Sequence, residues 1–155
     1  IQVESAQQMH DACVKHFPKC RAAVMTAAVA DFRPKTCAKS KIKKEQNTKL
    51  NIELELNPDI LATIGGMKKA GQVVIGFALE TTDELVNAQK KLHNKKADII
   101  VLNSLNDPGS GFGHTTNKVT LVRKSGKPES FPLMSKTGVA AVIADELEAL
   151  LNKKK

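Results

Sequence analysis

The chain contains no Trp and no Tyr, and aromatic residues make up only 3% of it. Single-stranded nucleic acid is commonly held by bases stacking on aromatic rings, so that class of partner is disfavoured. No apolar run approaches the roughly 18 residues that a membrane-spanning helix needs. No secretory leader is expected either. The three cysteines, Cys13, Cys20 and Cys37, are odd in number and form no CxxC pair. They neither close a disulfide framework nor give a zinc pattern, and a reducing cytosol is the expected setting. His10 and Cys13 share a helical face, but two candidate ligands do not make a metal site. There is no GxGxxG after a first strand, no phosphate-loop GxxxxGK and no nucleophile elbow. The Gly109–Gly113 stretch lacks the strand–turn–helix setting of a phosphate loop. Hydride transfer, phosphate-loop ATPase and hydrolase chemistry therefore lose support.

What is present is a chain of 155 residues, 41% of them hydrophobic, which suits one domain with a real core. Twenty-four Lys and Arg against 16 Asp and Glu give a net charge of +8. That excess points to an anionic partner, such as a nucleotide or a phosphorylated metabolite, or else to a solvated basic surface. Residue 1 is Ile, and Ile1–Val3 runs straight into a helix cap. The chain is therefore read as starting partway through a larger protein.

Ser5 with Gln8 forms a capping-box pattern and opens a helix to about Phe17, with Met9, Cys13 and Phe17 on one face. Ala22–Ala30 is an apolar run without alternation, as in a strand buried on both faces. Residues 31–49 are polar, carry Pro34 and read as a mobile loop. Leu50–Leu56 alternates strictly and reads as a half-exposed strand. Asn57-Pro58-Asp59 opens the next helix, with Asn57 as its cap and Pro58 at its first position. Val73–Leu79 and Ala97–Asn103 read as further buried strands, separated by a helix that a Thr81–Glu84 capping box opens. Lys118–Arg123 and Ser130–Met134 flank Ser125-Gly126-Lys127 as a hairpin. A last helix, about Lys136–Leu151, puts Val139, Ile143, Leu147 and Leu150 on one side. Strands alternating with helices give an α/β, Rossmann-like three-layer sandwich, with a mostly parallel sheet and a C-terminal antiparallel hairpin.

In such sheets ligands bind beyond the C-terminal ends of the strands. Those ends deliver Ala27–Asp31, Gly76-Phe77 and Asn103. Small residues at Ala27–Ala30 let a ligand approach the backbone, and Asp31 can accept from a ribose hydroxyl; a tightly packed strand end with an ordinary loop Asp reads equally well. Lys41-Ile42-Lys43-Lys44 can close over a polyphosphate, or be a solvated basic loop. Lys91 and Lys95 share a helical face, where they can simply complement the helix dipole. Phe77 can pack against a base or against the core.

Taken in order, Ala27–Pro34 (AAVADFRP), Lys41–Lys44 (KIKK), Asn57–Ile60 (NPDI), Gly76–Thr81 (GFALET) and Asn103, with Gly111–Gly113 and Asn117, resemble phosphopantothenoylcysteine synthetase. This family is the ligase domain of the bacterial bifunctional coenzyme A biosynthesis flavoprotein, and the resemblance spans essentially the whole chain. It implies a ligase that joins 4′-phosphopantothenate to cysteine using CTP and Mg²⁺, through an acyl-cytidylate, with release of pyrophosphate and CMP. By motif, Met25, Thr26, Ala27, Asp31, Asn57, Pro58, Asp59, Ile60, Phe77, Lys91 and Lys95 resemble nucleotide contacts. Lys41 resembles the catalytic flap lysine. The metal ligands stay unassigned, as does a role for Asn103. The resemblance also implies a cytoplasmic homodimer, no FMN site in this chain, and an upstream flavin-dependent decarboxylase domain. The family's first strand and glycine-rich loop would lie before Ile1. A nucleotide-binding module that no longer catalyses and a basic nucleic-acid-binding domain are the two other classes weighed.

Overall fold

The computed structural model describes residues 1–43, 49–104, 106–107, 109–110 and 113–154. Lys44 of the lysine run, and Gly111 and Phe112 of the glycine-rich stretch, lie outside the described residues.

Helix α1 (Ala6–His16) starts at the expected box: the Ser5 hydroxyl accepts from the Gln8 N–H, and the Gln8 side chain accepts from the Ser5 N–H. A cap of this kind is worth about 1 kcal/mol. Met9, Cys13 and Phe17 pack, as their spacing predicts, against one cluster with Ile60, Ile64 and Val74.

Strand β1 (Ala22–Met25) is shorter than the apolar run and is not buried on both faces. It pairs in parallel with one neighbour only, and Val24 is 36% exposed. The run is apolar because it lines cavities as well as core; from Thr26 the chain leaves the sheet. The span read as a loop contains a strand, β2 (Phe32–Pro34), which pairs antiparallel with β3 (Leu54–Leu56). The strand expected over Leu50–Leu56 is thus reduced to its last three residues, in a small sheet of its own. Arg33 donates to Glu55 at 2.8 Å and Lys35 to Glu53 at 2.7 Å, fixing the ribbon's register.

Helix α2 (Ile60–Met67) is capped by Asp59, whose carboxylate accepts from the Ala62 N–H, and not by Asn57. Asn57 is otherwise engaged: its amide donates to Ala30 O and its carbonyl accepts from Arg33. Strand β4 (Val73–Glu80) is buried along most of its length. Helix α3 (Glu84–Asn94) follows Asp83, whose φ of +46° makes the turn, and the Thr81–Glu84 box does not form. Glu84 instead accepts from the Ser104 hydroxyl, at the end of β5 (Ile99–Ser104).

Strand β6 (Thr116–Asn117) precedes β7 (Val119–Arg123), which forms a hairpin with β8 (Glu129–Ser130), so the second strand expected over Ser130–Met134 is two residues long and ends at Ser130. Beyond it, β9 (Met134–Ser135) turns back onto β6. Helix α4 (Lys136–Lys153) buries Val139 and Ile143.

The main sheet runs β1-β4-β5-β7-β8, parallel through β5 and antiparallel beyond it. Its alternate side chains feed two faces. Ile75, Ile99, Val101 and Leu121 meet α4 on one face. Val74, Ala78, Ile100 and Val122 meet α2 and α3 on the other. The α/β three-layer sandwich is as expected. Among the described residues no helix is long and apolar enough to cross a membrane.

At the N-terminal end of β5, buried Asp98 accepts from the Val74 N–H and from Lys68, Lys124 and Lys154. Burial opposes its ionisation, but the Lys68 hydrogen bond, the Val74 N–H and Lys154 outweigh that and hold the carboxyl at about 2.

Candidate functional site

Two cavities open at the C-terminal ends of β1 and β4, and Ala27 and Phe77 line both. The first, about 600 Å³, lies on the α2–α3 side of the sheet. Its walls include Met25, Ala27, Asp31, Asn57, Pro58, Asp59, Phe77, Lys91 and Lys95. Nine of the residues singled out in the sequence thus come from four separate stretches to one place. The second, about 660 Å³, lies between the sheet and α4 and is largely apolar, with Thr26, Asn103, Asn117 and Lys136 as its polar lining.

Three singled-out residues stand elsewhere. Thr26 faces only the second cavity. Ile60 is buried in the core beneath α2, where it anchors the helix that presents Asp59. Lys41 is exposed and lines neither cavity.

Close packing explains how the first cavity is shaped. A Cβ on Gly76 would come within 2.5 Å of the Leu61 side chain, so the missing side chain lets α2 lie directly on β4. A Cβ on Gly65 would overlap the Lys95 carbonyl oxygen, so α2 and the end of α3 touch backbone to backbone. That contact brings Lys95 beside the cap of α2, and its ammonium pairs with Asp59. Burial opposes ionisation of Asp59, but the Lys95 hydrogen bond, the Ala62 N–H and the charges of Lys95 and Lys91 lower its pKa below the usual value.

One turn earlier on α3, Lys91 meets Glu80, the last residue of β4, at 2.8 Å. Sequence reading quoted Glu80 only inside the GFALET string. Nothing local marks it, since its partner lies 11 positions away on another element. Phe32 and Leu56, on the ribbon, and Met9, on α1, also line this cavity, though the sequence marks them only as parts of a motif string, a strand and a helix face. No group of three or more His, Cys, Asp or Glu side chains able to hold a metal ion occurs among the described residues. A protein-built metal cage is therefore a poor fit here. Mg²⁺ more often rests on substrate phosphates with one or two carboxylates, and Asp31 and Asp59 are the carboxylates in this wall.

Chemically, the arrangement offers a concave wall with two ammonium groups and small strand-end residues, with Phe77, which packs against the α4-side core cluster, at its border. It suits an anionic ligand with a planar part.

The family model described as DNA/pantothenate metabolism flavoprotein C-terminal domain matches residues 1–151. A cysteine/cysteine sulfinic acid decarboxylase from an unidentified prokaryote is 47% identical over 152 residues, covering 98% of this chain and 42% of that protein. The coenzyme A biosynthesis bifunctional protein CoaBC of Bacillus subtilis is 42% identical over 150 residues, covering 97% of this chain and 36% of that protein. The chain thus spans about four-tenths of the length of these curated relatives. The crystal structure of the C-terminal domain of a CoaBC protein superposes with a TM-score of 0.78 at 40% identity, covering 99% of this chain and 66% of that one. A DNA/pantothenate metabolism flavoprotein from Streptococcus pneumoniae shares the fold, with a TM-score of 0.74 at 17% identity over 96% of this chain and 69% of that one.

Proposed function

The chain belongs to the DNA/pantothenate metabolism flavoprotein C-terminal domain family, and on that premise we propose that it is the phosphopantothenate–cysteine ligase unit of a coenzyme A biosynthesis protein. The observation that carries the reading is the convergence of nine motif residues on one cavity at the strand ends. Relatives named for coenzyme A biosynthesis support the pathway.

In this reading the first cavity takes CTP. Phe77, Met25 and the small Ala27 border the base and sugar, Asp31 and Asn57 accept or donate to hydroxyls, and Lys91 and Lys95 face the phosphates. The carboxylate of 4′-phosphopantothenate attacks the α-phosphorus. A P–O bond forms, the bond to the β-phosphate breaks, and pyrophosphate leaves. The cysteine amine then attacks the acyl carbon of the acyl-cytidylate, loses a proton, and CMP leaves. Each step moves negative charge between phosphate oxygens, so placed cations serve it better than an acid–base pair. Lys41 acts in the first step, delivered by its loop to the departing pyrophosphate. Mg²⁺ neutralises phosphate charge when bound with the nucleotide.

We place the protein in the cytosol, in keeping with its three free cysteines. The decarboxylase chemistry of such bifunctional proteins belongs, in this proposal, to their remaining length. A homodimer is part of the same reading. The β2–β3 register sets Phe32 opposite Leu56 and Pro34 opposite Leu54, and Phe32, Leu54 and Leu56 are 55–70% exposed. The charged residues of the ribbon pair among themselves, leaving an apolar face that suits a second copy.

The test is pyrophosphate release by the full-length gene product. We expect release that requires both CTP and 4′-phosphopantothenate, and CMP formation that further requires cysteine. CTP binding with no pyrophosphate release under any combination would leave a nucleotide-binding module. Binding to oligonucleotides that falls steeply with salt and ignores CTP would indicate a nucleic-acid partner.

A further inference from the structure

Glu80 poses a question that the proposed chemistry does not answer. Glu80 does not line the first cavity, and a polyphosphate gains nothing directly from an anion set just behind the wall, since like charges repel. Yet Glu80 stands at the end of β4, with its side chain 15% exposed, and Lys91 is the cation at its side. Its Oε1 is wholly buried and accepts no well-directed hydrogen bond, while its Oε2 has only a long contact of 3.4 Å from the Asn87 amide. Such a group is costly to keep unless its charge is used.

Lys91 supplies the use. Its side chain is 41% exposed, and a lysine has four rotatable bonds on which to wander. The other carboxylate nearby, Asp59, is taken by Lys95. Among the described residues, Glu80 is the carboxylate within ion-pair distance of the Lys91 ammonium. Held at 2.8 Å from one carboxylate oxygen as an ion pair, the ammonium keeps N–H donors for a ligand.

We propose that Glu80 is a positioning residue: it holds Lys91 in the cavity wall, poised to meet the phosphates of the nucleotide. The assignment rests on the nucleotide reading given above. Glu80 touches no phosphate itself. It trades some repulsion for a lysine that needs no ordering when the ligand arrives, and such preorganisation raises affinity. The ion pair survives in the complex, with the ligand accepting from the donors that Glu80 leaves free.

The test is a double-mutant cycle on CTP affinity, by calorimetry, in the full-length gene product. Glu80→Gln keeps the shape and removes the charge; Lys91→Ala removes the group it positions. We expect Glu80→Gln to weaken CTP binding by about tenfold, and to have no further effect in the Lys91→Ala background. Glu80→Asp should restore part of the loss. Melting temperatures of all variants separate this from a role in folding alone. If Glu80→Gln binds CTP as tightly as the wild type or more tightly, or if its loss is equal with and without Lys91, the assignment fails while the nucleotide reading stands. If the wild type itself binds no CTP, both fail together.

Discussion

Lys95, at the C-terminal end of α3, forms its ion pair with Asp59, the residue that caps α2. One carboxylate therefore serves two helices: one oxygen accepts from the Ala62 N–H and the other from the lysine. A ligand phosphate at this wall would meet the free N–H groups of Lys95 beside the start of α2, where the helix dipole also favours an anion.

If Lys91 and Lys95 face the triphosphate, replacing either with Ala should weaken CTP binding by about ten- to a hundredfold, the value of a charge-assisted hydrogen bond. Stability should change by no more than about 1 kcal/mol for Lys95→Ala, whose pair with Asp59 is partly exposed, and by more for Lys91→Ala, which leaves the buried Oε1 of Glu80 without its cation. Calorimetry set beside chemical denaturation checks this. Unchanged affinity in both variants would return them to the role of helix-end charges.

Lys41 should behave differently, because it lines neither cavity. A lysine that arrives with its loop stabilises charge mainly as pyrophosphate leaves. Lys41→Gln should therefore fold and bind CTP normally, while acyl-cytidylate formation falls on the order of 10²–10³-fold. Single-turnover pyrophosphate release measures it. An equal loss on replacing Lys43 would mean a general basic surface.

Nucleotide choice follows from the space beside Phe77. Phe77 packs against the α4-side core cluster and lines both cavities, and Met25, Ala27 and Leu61 line the first, of about 600 Å³, with it. CTP should bind more tightly than ATP to the full-length gene product, and competition titration with both nucleotides decides the matter.

Asp98 gives a prediction in pH. Its folded carboxyl titrates at about 2 against an ordinary 3.8. A depressed value means that the ionised form stabilises the fold. This contribution, roughly 2 kcal/mol, is present above about pH 4 and disappears as pH falls toward 2. Asp98→Asn should cost about 3 kcal/mol at pH 7, because Lys68, with only 12% of its side chain exposed, loses its partner. Urea unfolding at pH 7 and pH 3 should show the gap between variant and wild type narrowing at the lower pH.

The parts of the fold that the sequence reveals are those whose signals are local. The Ser5–Gln8 box and the apolar runs of β4 and β5 act within a few residues of themselves. β2 is hidden because three residues containing Pro34 show no period, and only pairing with β3 makes them a strand. Asn57-Pro58-Asp59 offers two possible caps, and the choice falls to Asp59 because Ala30 and Arg33 hold Asn57. Composition made β1 look buried, but burial depends on what lies beside a strand. The spacing of Lys91 and Lys95 places them on one face. Their carboxylate partners come from β4 and α2, at separations of 11 and 36 positions, which no periodicity records.

The backbone contact at Gly65 carries a consequence for anyone who surveys variants of this protein. Adding a single methyl group there would push directly on the carbonyl of Lys95. The root of that lysine would shift while its charge, and every residue lining the cavity, stayed the same. A survey that ranks positions by whether they touch the ligand would pass over residue 65. An assay of ligand capture would score its loss beside that of Lys95 itself.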